Sequence, residues 1–417
     1  MKKYMIAAIA AAGCAIPAAA QMDAIPNSGG DNNEAGLINT IFKIQEKTDK
    51  FHLYLNTQTN FDLDWSGEKG SDFDGGKFAF RQLRIEFKGN VNDWISYRYR
   101  QRLNKGQSEM GYFDNILKCI DIAEVGFRYK KVNFVVGKQC TAYGGIEFDL
   151  NPIEVYQYCD MIDYMDNFMT GVRAAWDINP SQQLQFQILD GVALNPGEMY
   201  GENVDKAKLP FLYTLNWNGS FGGVYSTRWS ASFMNEVKKH HMWYFAFGNK
   251  FDFTPQWGAW LDVMYSREGI DRKGIITGVT GTQDIKTIDV DGEMKTIGRN
   301  AFNTEYLTLL LHMNYFVHPK WNIFGKVAWE RNGVFKASGT PDDAGNYVAK
   351  GNYGTDWLYE GGIEYYPLKD RGLHFFLTYI GQKQTHSKMA QDLYGATPSS
   401  YTNRLTCGFI WQIPLFN

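Results

Sequence analysis

Connections of two lengths, short and long, alternate along the chain between predicted β-strands. The short ones are polar turns such as Asn179-Pro180-Ser181 and His318-Pro319-Lys320. The long ones span residues 66–77, 105–118, 141–168, 191–208, 267–302, 332–355 and 383–401. Transmembrane barrels have this order, because short turns lie on one side of the membrane and longer loops on the other. A β-sandwich shares the strand pattern but has no reason for such an order.

The strands themselves are predicted from alternation of apolar and polar residues. Leu307, Leu309 and Leu311 are separated by Thr308 and Leu310, for example, and successive strand side chains point to opposite faces. Each segment is about as long as the 9–11 residues that a tilted strand needs to cross a bilayer, or somewhat longer. The sixteen segments lie near 50–65, 78–90, 93–104, 119–130, 132–140, 169–178, 182–190, 209–218, 223–234, 241–253, 257–266, 303–316, 321–331, 356–366, 372–382 and 402–416.

Composition agrees with a barrel that is apolar outside and wet inside. Hydrophobic residues make up 44% of the chain and aromatic residues 16%, yet the mean hydropathy is −0.37. No segment approaches the 18 apolar residues in a row that a membrane helix requires. We therefore predict an all-β fold, a sixteen-stranded antiparallel transmembrane β-barrel, over residues 49–417.

The N-terminus indicates export. Lys2 and Lys3 precede an apolar run, and Ala18-Ala19-Ala20 provides a small-residue cleavage site, so residues 1–20 are predicted to be a signal peptide. A lipoprotein signal ending at Cys14 is the weaker alternative, because Ala12-Gly13-Cys14 resembles a lipobox. Residues 21–48 are predicted to be a flexible periplasmic leader. Together with the barrel, these features predict the outer membrane of a Gram-negative bacterium.

A ladder of arginines is the most distinctive polar feature. Arg98, Arg100 and Arg102 share one strand phase, opposite to Ile95, Tyr97 and Tyr99. A charge on the lipid face costs about 2–4 kcal/mol at the midplane, so we expect the cations to line the lumen. The predicted pore-lining cations are Arg84, Lys88, Arg98, Arg100, Arg102, Arg128, Arg173 and Arg228. They select for anions, or pair with acids such as Glu86 and Glu124 and brace the wall, and the two roles are compatible.

The third long connection, 141–168, combines acids with an apolar face. Its acids are Glu147, Asp149, Glu154, Asp160, Asp163 and Asp166. It also contains Phe148, Ile153, Tyr156 and Met161, which is too apolar for a freely exposed loop. We expect it to be an extracellular loop that folds inward, narrows the barrel and opposes its acids to the arginine wall. The alternative is a lid packed on the barrel mouth.

Enzyme and metal signatures do not stand out. G-x-S-x-G, P-loop and H-E-x-x-H motifs are missing from the sequence, so we predict no catalytic residues, no metal and no cofactor. The mature chain keeps Cys119, Cys140, Cys159 and Cys407 without C-x-x-C spacing. Cys140 and Cys159 are the more plausible pair for a disulfide in an oxidising compartment.

The segment Phe80-Arg81-Gln82-Leu83-Arg84-Ile85-Glu86-Phe87-Lys88-Gly89 is similar to the arginine-rich early strand of phosphate-selective porins of the O/P type. Val136-Gly137-Lys138-Gln139, followed by Tyr143-Gly144-Gly145-Ile146-Glu147, resembles their junction between strand and constriction loop. The resemblance implies sixteen strands, an inward loop and a homotrimer. Those channels place lysines at the constriction, whereas the matching loop here is acidic.

The leading prediction is therefore a porin for passive diffusion of small hydrophilic solutes, with a bias towards anions. Its predicted partners are these solutes and the outer-membrane lipid, with no nucleic acid, since the formal net charge is −3. A channel dedicated to phosphate or pyrophosphate is the nearest alternative. A barrel enzyme and a secreted β-sandwich binding protein are alternatives of another class.

Overall fold

Antiparallel pairing between neighbouring strands organises the chain, as seen in a computed structural model. The structure describes residues 50–105, 116–191, 196–201, 204–281, 283–290, 293–341, 347–368 and 372–416. The predicted signal peptide, 1–20, and the predicted leader, 21–48, lie outside the described residues.

Among the described residues, sixteen strands form one closed barrel, in which the first strand pairs with both the second and the last. The barrel strands are β1 (His52–Ser66), β2 (Asp72–Asn92), β3 (Ile95–Arg102), β4 (Ile120–Tyr129), β5 (Val132–Cys140), β6 (Phe168–Asn179), β7 (Gln182–Asp190), β8 (Phe211–Phe221), β9 (Tyr225–Val237), β10 (His240–Asp252), β11 (Trp257–Ile270), β14 (Phe302–His318), β15 (Trp321–Val334), β16 (Gly351–Tyr365), β17 (Leu373–His386) and β18 (Ser399–Phe416). The predicted barrel is confirmed, and the β-sandwich alternative is wrong.

The two faces of the barrel have opposite chemistry. On β14, Leu309 and Leu311 are 40% and 37% exposed, whereas Thr308 and Leu310 are buried. Buried polar side chains recur on the inner face of other strands, such as Gln183, Gln185 and Gln187 on β7. An apolar outer face suits lipid contact, and a polar inner face suits water. The alternation seen in the sequence therefore separates the lipid side from the lumen.

Two connections differ from the prediction. Residues 66–77 were expected to be a long loop, but β2 already begins at Asp72 and pairs with β1 as far as Ser66. Its first residues include Gly75-Gly76, which favour a turn, and the pairing with β1 overrides that local preference. Residues 267–302 contain a separate hairpin of β12 (Gln283–Val290) and β13 (Glu293–Arg299), which the sequence did not predict.

Short helices occupy the long connections. They are α1 (Ile146–Asp149), α2 (Asp160–Asp163), α3 (Pro196–Tyr200), α4 (Ile275–Thr280) and α5 (Lys388–Tyr394), with a 3₁₀-helix at Pro152–Glu154. Among the described residues, no helix is long and apolar enough to span a membrane. The helices α1 and α2 both belong to the segment 141–167 between β5 and β6, which we call the β5–β6 loop.

Candidate functional site

The arginine ladder lies on the inner face where β2 meets β3. Arg84 is directly opposite Arg102, and Lys88 is directly opposite Arg98. Opposed side chains of an antiparallel pair lie about 4.5–5.5 Å apart at Cβ, so like charges at these positions need counter-ions. The structure supplies these counter-ions from carboxylates of the barrel rather than from the solvent.

Asp121 on β4 is the main counter-ion of the ladder. Its carboxylate lies 2.9 Å from Arg84 Nε, 3.4 Å from Arg100 Nε and 2.6 Å from Arg102 Nε. Asp121 is 1% exposed. Sequence reasoning missed this residue, because strict alternation gives it the phase of the lipid-facing Val125 and Phe127. A bulge between Arg100 and Gln101 in the pairing of β3 with β4 shifts the phase, which turns Asp121 inward.

Glu86 is the counter-ion of Arg98. Its carboxylate accepts a hydrogen bond of 2.8 Å from Arg98 Nε and one of 3.1 Å from Asn56 Nδ2.

Arg81 also has a carboxylate partner. A second bulge, at the pairing of Gln58 and Thr59 with β2, places Arg81 against Asp62 of β1, and the two form an ion pair. Bracing of the wall, which the sequence left as an alternative, is thus present for several of these arginines.

Positive charge still exceeds negative charge on this part of the inner face. We define the arginine wall as nine charged inner-face residues of β2, β3, β4 and β6; Arg81 is not counted, because its partner Asp62 lies on β1. Its cations are Arg84, Lys88, Arg98, Arg100, Arg102 and Arg173, and its carboxylates are Glu86, Asp121 and Glu124. Six cations therefore share three carboxylates within the wall.

The remaining two predicted cations lie elsewhere. Arg128 is at the short-turn end of β4, where its side chain is 58% exposed and lies 3.7 Å from Asp177. Arg228 is on the inner face of β9, and its Nε lies 3.2 Å from Asp149 of the β5–β6 loop. The structure therefore separates Arg128 from the arginine wall and joins Arg228 to the loop.

The β5–β6 loop begins with a sharp change of direction. Gly144 and Gly145 have φ angles of 76° and 88°, which side chains with a Cβ rarely adopt. Gly248 on β10 makes room for this turn, because a Cβ there would lie 2.8 Å from Gly145 Cα. The backbone of the loop consequently passes directly against the inner face of β10.

Two inner-face carboxylates outside the arginine wall accept hydrogen bonds from the N-termini of the loop helices. Asp262 on β11 accepts hydrogen bonds of 2.8 and 2.9 Å from the backbone N–H groups of Ile146 and Glu147. Glu330 on β15 accepts bonds of 2.7 and 3.0 Å from those of Asp160 and Met161. The first N–H groups of a helix have no partner within the helix, and negative charge is favourable there.

A buried ion triad adds a third attachment. Lys326 Nζ on β15 lies 3.0 Å from Glu147 of the loop and 2.9 Å from Glu360 on β16. The same ammonium donates to the carbonyl oxygen of Gln157. Lys326 was not among the predicted cations, although it shares the polar phase of β15 with Asn322 and Glu330.

Apolar contacts accompany these polar ones. Ile153 packs with Phe376 of β17 and Ile410 of β18. The ring of Tyr156 stacks on Phe324 at a centroid distance of 5.2 Å, and its hydroxyl donates to Glu364 at 2.7 Å. The loop leaves the barrel wall at β5 and contacts β10, β11, β15, β16, β17 and β18 through inner-face residues.

The predicted loop acids are distributed differently from the expectation. Glu147 pairs with Lys326, Asp149 with Arg228 and Asp166 with Arg272 at 2.9 Å, and these three cations lie outside the arginine wall. Glu154 is half-buried near Glu364. Asp160 accepts a hydrogen bond of 3.3 Å from Gln382. Asp163 interacts electrostatically with Lys105. Most of these acids thus attach the loop to the rest of the barrel.

Burial changes the acidity of the docked loop. It raises the pKa of Glu147 to about 7, against the lowering effect of the Lys326 ammonium. It also raises the pKa of Asp160 to about 7, and the neighbouring Glu330 carboxylate acts in the same direction. The carboxyl groups of Glu147 and Asp160 are therefore mainly protonated, and so neutral, at mildly acidic pH.

A cavity remains between the loop and the arginine wall. Lys88, Arg98 and Arg100 line one side, and Asp149 and Leu150 of the loop line the other. This is where the cations of the wall and the loop face a common space. It is the candidate functional site of the molecule.

The structure gives no support for a disulfide. Cys140 and Cys159 are both free thiols, as are the two other cysteines of the described residues, Cys119 and Cys407. The bridge considered from the sequence between Cys140 and Cys159 is therefore absent. Within the part of the chain that the structure describes, no group of three or more His, Cys, Asp or Glu side chains is arranged to hold a metal ion.

A closed barrel of sixteen strands with an apolar outer face, a polar inner face and a cation-lined passage defines an outer-membrane porin. Comparison with protein families assigns the chain to a family within this class. The family model described as phosphate-selective porin O and P matches residues 51–413, and the chain belongs to this family. The family resemblance seen in the sequence is confirmed.

Solved structures show the same fold at low sequence identity. The outer membrane channel DcaP of Acinetobacter baumannii superposes with a TM-score of 0.56 and 12% identity, covering 87% of this chain and 96% of that chain. An anion-selective porin from Comamonas acidovorans superposes with a TM-score of 0.50 and 7% identity, covering 87% and 99%. None of the curated proteins searched matches the chain.

Proposed function

We propose that this porin lets small hydrophilic solutes diffuse passively across the outer membrane, with a preference for anions. The observation that carries the preference is the charge of the arginine wall, in which six cations share three carboxylates. Cations in a narrow pore replace part of the hydration that an entering anion loses, and they repel cations. The cavity beside Lys88, Arg98 and Arg100 is where this effect acts.

The β5–β6 loop forms the constriction in this proposal. Its support is the set of contacts to Asp262 of β11 and to Lys326 and Glu330 of β15, which are inner-face residues. A loop that fills part of the lumen reduces the cross-section available to solutes. Its removal should therefore enlarge the passage while leaving the barrel strands intact.

A channel dedicated to phosphate or pyrophosphate is the second candidate, and membership of the phosphate-selective family favours it. Guanidinium groups suit phosphate because they form paired hydrogen bonds. Here Arg84, Arg98 and Arg102 already direct Nε to Asp121 or Glu86, and Asp149 lines the same cavity. These contacts favour the less selective pore.

The test of the constriction is the single-channel conductance of the purified protein in planar bilayers, with and without residues 147–166. We expect the deletion to raise conductance, and an unchanged conductance would contradict the proposal. Phosphate added to the wild-type channel separates the two candidates. Block of the chloride current at low phosphate concentration would support the dedicated channel.

Residues 1–20 are a signal peptide and 21–48 a periplasmic leader of a Gram-negative outer-membrane protein, with lipid against the apolar outer face. The chain forms a homotrimer, as the family resemblance implies, and has no catalytic activity. Recovery of the protein in the soluble periplasm after cell fractionation would contradict the location, and light scattering in detergent measures the oligomeric state.

A further inference from the structure

The cavity between the loop and the arginine wall has two chemically different sides. Lys88, Arg98 and Arg100 provide the charged side, together with the Glu86 carboxylate that pairs with Arg98. The facing side includes the apolar Phe148 and Leu150 of the loop beside its polar residues. Other apolar groups that line the same space are Ile122, Pro152, Ile162 and Phe168.

Inorganic phosphate suits the charged side of this cavity but not the apolar residues of the loop side. Its oxygens carry negative charge in every direction, and each needs a donor or water once it leaves bulk solvent. Of the loop residues that line the cavity, Asn151, Asn167 and Tyr158 carry donors, whereas Asp149 carries negative charge and the apolar side chains offer neither donor nor water. A phosphate ion bound to the arginines would therefore have only part of its oxygens satisfied from the loop side.

We propose that the cavity preferentially binds and passes organic anions that carry one carboxylate on an apolar body, rather than inorganic phosphate. The carboxylate faces Lys88, Arg98 and Arg100, and the hydrocarbon part lies along Leu150 and its apolar neighbours. Pockets commonly combine apolar walls with a few charged groups that fix the orientation of a ligand. This inference rests on the proposed anion-preferring pore and specifies its solute class.

The first test compares four anions as blockers of the chloride current through wild-type channels at constant ionic strength. They are acetate, butyrate, hexanoate and inorganic phosphate. The half-blocking concentration should fall along the carboxylate series, by up to about fourfold for each methylene group that leaves water. Hexanoate should block at a lower concentration than phosphate.

The second test assigns the effect to the loop. Leu150→Ser should raise the half-blocking concentration of hexanoate and flatten the carboxylate series, with little change for phosphate. Leu150→Met keeps an apolar side chain and should behave like the wild type. Tyr164→Ser is the matched control, because Tyr164 belongs to the same loop, is 53% exposed and does not line the cavity.

The outcomes distinguish this inference from the proposed function. Phosphate blocking at a lower concentration than hexanoate, or equal block by acetate and hexanoate, would overturn the inference. The anion preference of the same channels is read independently from their zero-current potential in a KCl gradient. A cation preference would overturn the proposed function itself, whichever anion blocks best.

Discussion

Asp262 and Glu330 hold the two α-helices of one loop in the same manner, although they lie on different strands. Each carboxylate accepts two consecutive backbone N–H groups, Asp262 at the start of α1 and Glu330 at the start of α2. Four N–H groups that would be costly to bury without acceptors are thereby satisfied. Residues of the barrel strands thus determine where the loop is attached.

Asp262→Ala should loosen the start of the β5–β6 loop. It leaves the N–H groups of Ile146 and Glu147 without acceptors, at a cost of roughly 1–3 kcal/mol for each buried group. We expect higher and noisier single-channel conductance, with a smaller change for Asp262→Asn, which keeps one acceptor oxygen. Asp252→Ala is the control, because Asp252 lies near the short turn, has a side chain that is 44% exposed and pairs only with the neighbouring Lys250 among the ion pairs of the described residues. Equal conductance for Asp262→Ala and wild type would count against docking through this carboxylate.

Docking of the loop should depend on pH. Glu147 and Asp160 have pKa values raised to about 7 in the docked loop, above their ordinary values near 4. The docked state therefore binds these protons more tightly, so its stability is fully present below the ordinary pKa and is lost as pH rises through about 7. Each pKa unit corresponds to about 1.4 kcal/mol.

We therefore expect single-channel conductance to increase between about pH 5 and about pH 8 as these carboxyls ionise. Asp160→Asn, which is neutral throughout this range, should reduce the increase. Channels that lack residues 147–166 provide the control and should show little of it. A conductance that falls with rising pH in the wild type would contradict the prediction.

Asp121→Asn should increase the anion preference of the channel and lower the stability of the barrel. Removal of the carboxylate leaves Arg84, Arg100 and Arg102 without their shared counter-ion. Breaking a buried ion network costs about 3–5 kcal/mol, so the temperature at which the folded barrel loses its gel mobility should fall. The anion preference should increase, because the wall gains net positive charge.

Asp177→Asn is the matched control for this variant. It removes the partner of Arg128, whose side chain is 58% exposed, and exposed pairs contribute only about 0–1 kcal/mol. Neither the unfolding temperature nor the zero-current potential should move appreciably. A similar loss of stability in both variants would mean that Asp121 does not organise the arginine ladder.

Much of the barrel follows from residue alternation. The phase of Arg98, Arg100 and Arg102 against Tyr97 and Tyr99 correctly predicts which face meets the lumen, because lipid penalises charge on the other face. Alternation fails at the two bulges. Asp121 and Arg81 have a lipid-facing phase in the sequence, and only the register shifts bring them inside.

The attachments of the loop could not be predicted in the same way. Glu147 is 179 residues from Lys326, and no local pattern pairs them. Their contact depends on the path of the loop, which the glycines at 144 and 145 and the carboxylate of Asp262 set in three dimensions. The acidity of the loop was visible in the sequence, but its role in attachment was not.

The zero-current potential of the purified wild-type channel in a KCl gradient tests the central claim most directly. The excess of cations on the arginine wall predicts a potential with the sign set by chloride. A potential with the sign set by potassium would contradict it, because the carboxylates of the loop would then outweigh the wall.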